Sequence, residues 1–264
     1  MIRKDSVQEP DDVACSALGN RNSKKHPQAC AEKLSELLTF DQTILDKGLV
    51  SIQANTVIGT DEVGRGCLAG PVVACAVVLP AIEFHSDIFN RLLRLNDSKS
   101  ITHEIRTELS AELKKICHYA VAEASVEEID ELNILHASLL AMKRAVRKLR
   151  IEGPAVILVD GNKSITGIKN IPQITVVDGD TKSASIAAAS VIAKVYRDNL
   201  MCKLAKKFPH YKWDSNKGYR SPDHYLALQQ HGMTIWHRNS FNCGVNRLED
   251  HSNKENQQLA LKLE

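Results

Sequence analysis

Three apolar segments of this chain lead into acidic residues. Residues 56–59 are followed by Asp61 and Glu62, residues 155–159 by Asp160, and residues 174–177 by Asp178 and Asp180. Each segment has the length and composition of a buried strand. A carboxylate at the end of such a strand is costly to bury unless it is paired, protonated or bound to metal. The three strand ends therefore predict a carboxylate cluster that suits hard divalent cations, and metal-assisted chemistry on phosphate.

Four of these acids would make a site for two Mg²⁺ or Mn²⁺ ions: Asp61, Glu62, Asp160 and either Asp178 or Asp180. Two ions about 3.5–4 Å apart activate a water and stabilise the leaving oxygen of a phosphodiester. Adjacent strand residues point to opposite faces, so Asp61 and Glu62 converge only if the strand ends or bulges there. The alternative role for Glu62 is a salt-bridge partner. Spacing does not separate Asp178 from Asp180, because residues two apart on a strand share a face.

Two further features favour contact with a nucleic acid. The Gly64-Arg65-Gly66 sequence puts main chain without bulky side chains beside the acids, where N–H groups can point at a ligand. A tight hairpin turn is the alternative. Tyr219, near Lys212 and Arg220 in sequence, could stack on a sugar or base while the cations hold phosphates. The alternative for Tyr219 is a core aromatic.

The charge distribution is more informative than the total charge. With 264 residues, 43% of them hydrophobic, and a net charge of +2, the chain has the composition of an ordinary globular protein. Residues 194–224, however, contain eight Lys or Arg against three acids. A second basic group at residues 143–150 is equally consistent with a solvated helix face and with a phosphate contact.

The cysteines and the termini bear on the cellular compartment. Seven scattered cysteines contain no Cys-x-x-Cys pair, which disfavours zinc or a disulfide framework and fits a reducing cytosol. Cys75 and Cys117 are expected to be small core residues. Neither a signal core nor an apolar run of transmembrane length is present in the sequence. A soluble, cytoplasmic monomer is expected.

The order of the patterns predicts a mixed α/β fold. We expect strands at 56–60, 71–79 and 117–126 and two more ending near Asp160 and Asp178, with helices at 126–149 and 183–208. The small apolar residues at 186–193 predict that the second helix packs closely behind the acids. The expected organisation is a disordered leader (1–30), a helical N-terminal extension (31–55), a catalytic core (56–208), a substrate-binding C-terminal extension (209–248) and a flexible polar tail (249–264).

These residues resemble bacterial ribonuclease HII from about Gly59 to Asn246. The matching blocks are 59–66 (GTDEVGRG), 97–99 (DSK), 158–162 (LVDGN), 179–180 (GD), 186–195 (IAAASVIAKV) with 197–198 (RD), 217–219 (KGY) and 237–241 (HRNSF). The resemblance implies a ribonuclease H-like mixed five-stranded sheet flanked by helices, with a small helical C-terminal extension. It implies cutting of the RNA strand of RNA/DNA hybrids, and cutting 5′ of single ribonucleotides in duplex DNA that leaves 3′-hydroxyl and 5′-phosphate ends.

The resemblance also implies roles for particular residues. Asp61, Glu62, Asp160 and Asp180 match the acids that bind catalytic metal, so Asp180 is preferred over Asp178. The residues expected to contact substrate are Gly64, Arg65 and Gly66 at a 2′-hydroxyl, Tyr219 on the following deoxyribose, and Lys99 and Ser190. Two departures stand out: Asp178 occupies a position where Lys is common, and Ser100 replaces a second Lys, which would weaken a phosphate contact.

Two rival classes and one partner remain open at this point. Ribonuclease HIII would carry a sizeable N-terminal domain, for which the leading segment looks too short and polar. A hybrid-binding protein without activity would not need all four acids. Residues 258–263 (QLALKL) partly resemble peptides that dock on the replication sliding clamp, although Lys262 stands where an aromatic is expected. A frayed amphipathic end is the alternative, and we expect no clamp binding.

Overall fold

The computed structural model of the protein describes residues 27–46, 54–95 and 101–244. At its centre is a five-stranded sheet in the order β3-β2-β1-β4-β5. The strands are β1 (Thr56–Val63), β2 (Val72–Val78), β3 (His118–Ala124), β4 (Ala155–Asp160) and β5 (Gln173–Val176). The β3-β2-β1 meander is antiparallel, whereas β4 and β5 run parallel to β1. The mixed five-stranded sheet predicted from the sequence is therefore confirmed.

Helices flank the sheet and form the C-terminal region. They are α1 (Pro27–Asp46), α2 (Asp87–Arg91), α3 (His103–Ile116), α4 (Val126–Leu132), α5 (Ile134–Leu149), α6 (Ala184–Lys207), α7 (Trp213–Asn216) and α8 (Pro222–His231). Two 3₁₀ turns lie at Gly179–Thr181 and Pro209–Tyr211. The helix α1 begins inside the segment predicted to be disordered.

The single helix predicted over 126–149 is wrong. The chain breaks at Asn133, whose φ of 69° no helix accommodates. The Asn133 side chain then accepts the N–H groups of Leu135 at 3.0 Å and His136 at 3.2 Å, which caps α5. Asparagine tolerates a positive φ and caps helices well, so this residue was the available signal for two helices.

The two faces of the sheet bury different helices. The helix α6 packs against one face, where its alanines contact Val73, Cys75 and Val77. The helix α5 packs against the other face, which includes Val72, Ala74 and Ala76. At Gly59 a Cβ atom would overlap the main chain of α6, so the helix lies directly on β1. The close packing predicted for the small apolar residues of α6 is observed.

The C-terminal region packs on α6 and on the loop after β1. Trp213 and Leu68 are fully buried together with Met201 of α6. Main-chain hydrogen bonds join the two segments: Leu68 N–H donates to the Gly218 carbonyl and Gly70 N–H to the Trp236 carbonyl, both at 2.8 Å. The loop and the C-terminal region therefore form one packed unit.

The basic group on α5 takes part in packing contacts. Arg144 forms a two-pronged salt bridge with Glu128 at 2.5 and 2.7 Å and also donates to the Glu123 carbonyl at 2.8 Å. Lys148 donates to the Val121 carbonyl at 3.3 Å. These two side chains therefore tie α5 to β3 and α4.

Some predictions concern residues outside the described ranges. These are the leader up to residue 26, the Asp97-Ser98-Lys99 sequence with Ser100, and the tail from residue 245. Among the helices in the described ranges, none combines the length and apolarity needed to cross a membrane. The six cysteines that the structure describes are free thiols, and Cys75 is buried while Cys117 is partly buried.

Candidate active site

Asp61 and Asp160 lie side by side on the α6 face of the sheet. The parallel pairing of β1 with β4 ends at Thr60 and Val159, so each acid is the residue that follows the last pair. Asp61 stands opposite Cys75, which packs against α6. Asp160 continues the alternation of Val156 and Leu158, which pack with Ile186 of α6. Both carboxylates therefore approach the start of α6 from adjacent strands.

Glu62 points to the opposite face from Asp61. Its partner on β2 is Ala74, which packs against α5, and the ladder continues without a break to Val63. The predicted strand end or bulge at this point is therefore wrong, and β1 ends three residues later than expected. The Glu62 carboxylate still lies near the other two, since its charge raises the pKa of Asp61 and the charge of Asp160 raises the pKa of Glu62. Its Oε1 accepts from Arg65 at 3.0 Å, so the salt bridge considered as an alternative also forms.

Asp178 and Asp180 are separated by the local backbone. Neither lies on a strand, so the expectation that they share a strand face is wrong. Asp178 has a φ of 54° and is exposed, whereas Asp180 in the following 3₁₀ turn is only 3% exposed. The Gly179 N–H between them donates to Asp160 Oδ1 at 2.7 Å. The turn thus brings Asp180, rather than Asp178, to the buried side with Asp61.

The pKa values of the clustered acids are shifted by burial and by one another's charge. Burial raises the pKa of Asp61 well above its ordinary value, and the charges of Glu62, Asp160 and Asp180 raise it further, while a hydrogen bond from Ser190 lowers it. Burial also raises the pKa of Glu62, against the lowering effect of Arg65. Neighbouring carboxylates raise one another's pKa because their negative charges repel. A bound cation offsets this repulsion and stabilises the ionised carboxylates.

The donor set fits divalent cations by its chemistry. In the described part of the chain, no group of three or more His, Cys, Asp or Glu side chains is arranged so that it could hold a metal ion as it stands. The four carboxylates nevertheless offer the oxygen ligands that Mg²⁺ and Mn²⁺ prefer. The Glu62 Oε2 atom is buried and has no hydrogen-bond partner in the protein. A buried carboxylate oxygen without a partner is costly, and a cation would relieve that cost.

Arg238 shapes the loop after β1, a role that its sequence pattern did not predict. Its side chain is fully buried. It donates to the carbonyls of Gly64 at 2.7 Å, Arg65 at 2.9 Å and Gly70 at 2.9 and 3.0 Å. A trans peptide points its N–H away from its carbonyl. Because Arg238 draws the Gly64 and Arg65 carbonyls inward, the N–H groups of Arg65 and Gly66 face outward on the exposed part of the loop.

Arg197 holds the same loop from α6. It is fully buried and donates to the carbonyls of Pro71 at 3.1 Å, Ala69 at 2.9 Å and Lys217 at 2.8 Å. Arg197 therefore belongs to the basic stretch 194–224 in sequence but is a buried packing residue in the structure. A Cβ atom on Gly64, whose φ is 94°, would overlap the Arg197 side chain. Glycine is needed at position 64 for both reasons.

Tyr219 lies at the surface beside this loop, which excludes the core-aromatic alternative. Tyr219 is 40% exposed, and the centroid of its ring lies 5.4 Å from Lys194 Nζ and 6.0 Å from Arg197 Cζ. These neighbours replace the sequence neighbours expected from the basic pattern, because Lys212 pairs with Asp223 at 3.2 Å. An exposed ring with cations beside it is suited to stack on a sugar or base.

One face of α6 connects the parts of the site. Ser190 bonds Asp61, Lys194 lies at the Tyr219 ring, and Arg197 holds the loop. Residues spaced by three and four positions lie on one side of a helix. Ser190, expected to contact substrate, is 8% exposed. The acid cluster, the loop and the tyrosine are therefore adjacent and fixed to one rigid element.

A buried histidine pair supports Tyr219 from behind. His224 Nδ1 lies 2.9 Å from the Tyr219 carbonyl, which makes it the donor, so its Nε2 accepts from Trp213 Nε1 at 3.1 Å. His237 Nδ1 accepts the Thr234 N–H at 2.9 Å, so its Nε2 donates to His224 at 3.1 Å. Burial lowers the pKa of both rings, that of His237 to about 3. Both histidines are therefore neutral packing residues.

The fold is shared with known nucleases of the ribonuclease H class. A ribonuclease H2 structure from Pyrococcus horikoshii aligns with a TM-score of 0.58 and 28% identity, over 71% of this chain and 94% of that chain. A manganese complex of a Bst ribonuclease HIII aligns with a TM-score of 0.56 and 16% identity, over 86% of this chain and 74% of that one. The sheet, the helices and the acid-bearing strand ends together define a ribonuclease H-like nuclease.

The sequence comparisons specify the family. The ribonuclease HII family model matches residues 58–243. A ribonuclease HII from Pelagibacter ubique is 49% identical over 69% of this chain and 94% of its own length, and one from Magnetococcus marinus is 48% identical over 83% and 94%. The chain belongs to the ribonuclease HII family, which makes it an endonuclease of the ribonuclease H type that acts on RNA/DNA hybrids.

Proposed function

We propose that this protein cuts duplex DNA on the 5′ side of a single embedded ribonucleotide, in addition to cutting the RNA strand of hybrids. The products would carry 3′-hydroxyl and 5′-phosphate ends, which suits ribonucleotide removal during replication and repair. The observation that carries the proposal is the attachment of the acid cluster, the Gly64-Arg65-Gly66 loop and Tyr219 to one face of α6.

The carboxylates would hold two divalent cations, Mg²⁺ or Mn²⁺. The proposed ligands are Asp61, Glu62, Asp160 and Asp180. Such ions supply an activated water and stabilise the leaving oxygen when they are bound. The protein's own part is to hold the four oxygens in place: Gly179 N–H fixes Asp160, and Ser190 and the Glu62 N–H fix Asp61.

The loop and the tyrosine would read the junction between ribose and deoxyribose. The outward N–H groups of Arg65 and Gly66 can donate to a 2′-hydroxyl, the one group that distinguishes RNA from DNA at a given sugar. The Tyr219 ring can stack on the next sugar only if that sugar lies flat against it, which a deoxyribose without a 2′-hydroxyl permits. We propose additional substrate contacts for Lys99 and Ser190.

Three statements about partners and setting also remain proposals. We place the protein in the cytoplasm, because its described cysteines are free thiols, and we propose that it acts as a monomer. A clamp interaction has one parallel: a structure from Archaeoglobus fulgidus, 24% identical over 76% of this chain and 99% of its own with a TM-score of 0.59, is a PCNA:RNase HII complex. The tail that would make such a contact here lies outside the described residues.

The test is cleavage of a DNA duplex that contains one ribonucleotide, with the product ends mapped. The wild-type protein should cut on the 5′ side of the ribonucleotide and only with Mg²⁺ or Mn²⁺ present. Asp61→Asn and Asp160→Asn should bind a hybrid but fail to cut it, because each removes charge that acts mainly in the transition state. Cutting of hybrids alone would refute the single-ribonucleotide activity, and metal-dependent turnover by either variant would refute the carboxylate assignment.

A further inference from the structure

A carboxylate outside the acid cluster contacts the start of α6. Asp41 lies on α1, and its Oδ1 accepts the Ser183 hydroxyl at 2.5 Å. Its Oδ2 accepts the Ser185 N–H at 2.8 Å. The first N–H groups of a helix have no partner within the helix, and a negative charge there is favourable. Asp41 therefore completes the N-terminus of the helix that carries Ser190, Lys194 and Arg197.

Hydrogen bonds continue from this contact to the acid cluster. The Ser183 N–H donates to the Gly179 carbonyl at 2.8 Å. The Gly179 N–H donates in turn to Asp160 Oδ1 at 2.7 Å. Asp180 lies in the 3₁₀ turn between these two bonds. A displacement of Ser183 would therefore move the turn that bears one carboxylate and the donor that orients another.

The helix α1 is anchored firmly enough to hold Asp41 in place. Leu34 and Leu37 are fully buried against α6 in the same core cluster. Ile44 joins Val57 and Ile186 in a second cluster. The family model begins at residue 58, so α1 precedes the part of the chain that defines the family. The contact therefore belongs to the N-terminal extension.

We propose that Asp41 is a positioning residue for the carboxylate cluster. Through Ser183 it holds the Gly179–Thr181 turn so that Asp180 and Asp160 stand ready to bind a divalent cation. This inference rests on the proposed function of the four carboxylates. It assigns the N-terminal extension a part in the active site that the sequence did not reveal.

The experiment measures Mn²⁺ binding to the full chain without substrate, by calorimetry. Asp41→Asn leaves one amide oxygen where two donors, the Ser183 hydroxyl and the Ser185 N–H, need acceptors. We expect Mn²⁺ affinity to fall by about tenfold, the size of effect seen when a partner of a metal ligand is lost. Ser183→Ala should have a similar effect. Cleavage should need about tenfold more Mn²⁺ and approach the wild-type rate at saturation.

The matched control is Asp46→Asn on the same helix. Within the described ranges, Asp46 accepts a hydrogen bond only from exposed Gln42, at 2.8 Å, so Mn²⁺ affinity should not change. Leu34→Ala tests for loss of packing, because it loosens α1 without removing a group that bonds Ser183. An equal loss of Mn²⁺ affinity in Leu34→Ala, at the same loss of stability, would overturn the proposal.

Mn²⁺ binding by Asp160→Asn distinguishes a failure of the role of Asp41 from a failure of the carboxylate site itself. If Asp160→Asn abolishes Mn²⁺ binding while Asp41→Asn leaves it unchanged, the role of Asp41 is refuted and the carboxylate site stands. If Asp160→Asn leaves Mn²⁺ binding unchanged, the carboxylate site and the role of Asp41 are both refuted.

Discussion

Asp61 is a residue whose chemical role opposes the stability of the fold. It is buried on the α6 face of the sheet, and its pKa is raised by that burial and by the neighbouring acids. The folded protein without cations therefore holds a proton on Asp61 that the unfolded chain releases above the ordinary pKa of 3.8. The folded state therefore loses stability as pH rises from 3.8 to the raised pKa of Asp61 in the folded protein.

Asp61→Asn should therefore stabilise the metal-free protein. The amide cannot ionise, so the free energy of unfolding at pH 7 should rise by about 1–2 kcal/mol, typical of relieving a strained functional site. The gap between variant and wild type should widen as pH rises above 3.8. Urea denaturation in the presence of a chelator measures it. A variant less stable than wild type across this range would contradict the described electrostatics.

Asp180 and Asp178 offer a comparison between two acids that differ in burial. Asp180→Asn should lower the cleavage rate by about 10²-fold or more, because it removes a charge that faces Asp61. Asp178→Asn should lower the rate by less than about tenfold, since Asp178 is exposed and outside the cluster. Single-turnover cleavage of a hybrid measures both. Equal losses, or a greater loss at Asp178, would reverse the assignment.

At the scale of elements, the loop after β1 is shaped from both sides by buried arginines. Arg197 approaches from α6 and Arg238 from the C-terminal region, and both bond main-chain carbonyls. Burial lowers the pKa of Arg238 to about 10, so the side chain stays charged at neutral pH. Charged donors make strong hydrogen bonds to carbonyls. The loop geometry therefore depends on the docking of residues 209–244.

Arg238→Lys should lower the stability of the fold and weaken the recognition of a single ribonucleotide by the loop. A lysine cannot reach the carbonyls of Gly64, Arg65 and Gly70 together. We expect a loss of about 2–4 kcal/mol in unfolding free energy and a larger loss of cleavage at single ribonucleotides than in long hybrids. Arg220→Lys, an exposed change in the same region, should alter stability by less than about 0.5 kcal/mol. Equal effects of the two changes would argue against a role of Arg238 in shaping the loop.

The elements show which features a sequence can predict. Apolar segments of strand length were enough to place the five strands, and small residues predicted the close packing of α6. The β1 ladder through Glu62, the 3₁₀ turn that separates Asp178 from Asp180, and the bonds of Asp41 and Arg238 were not predictable. Each depends on segments far apart in the chain, such as Asp41 with Ser183. Local pattern contains no information about such contacts.

At the scale of the whole molecule, two neutral histidines hold the C-terminal region together from within. His224 and His237 are buried among aromatic rings and hydrogen-bonded to each other. Their lowered pKa values mean that the unfolded chain takes up protons near pH 6.5 whereas folded His237 does so only near 3. The contribution of this histidine pair to the free energy of unfolding is fully present above pH 6.5 and declines as pH falls toward 3.

His237→Gln should flatten the acid side of the stability profile. The wild-type free energy of unfolding should fall below pH 6.5 with a contribution of up to about 1.4 kcal/mol per pH unit from this residue. The variant should be less stable at pH 8 but lose less on acidification. His210→Gln, at an exposed site in the same region, is the matched control and should change the free energy of unfolding at pH 8 by less than about 0.5 kcal/mol. Parallel slopes in wild type and His237→Gln would show that His237 is not neutral when folded.

The central claim, that the loop and Tyr219 together recognise a single ribonucleotide followed by deoxyribose, is tested most directly by one ratio. That ratio is kcat/KM on a duplex with one ribonucleotide divided by kcat/KM on a long hybrid, measured for wild type, Tyr219→Ala and Tyr219→Phe. Stacking is worth about 1–3 kcal/mol, so Tyr219→Ala should lower the ratio by roughly tenfold or more. Tyr219→Phe keeps the ring and should keep the ratio. An unchanged ratio in Tyr219→Ala would contradict the account.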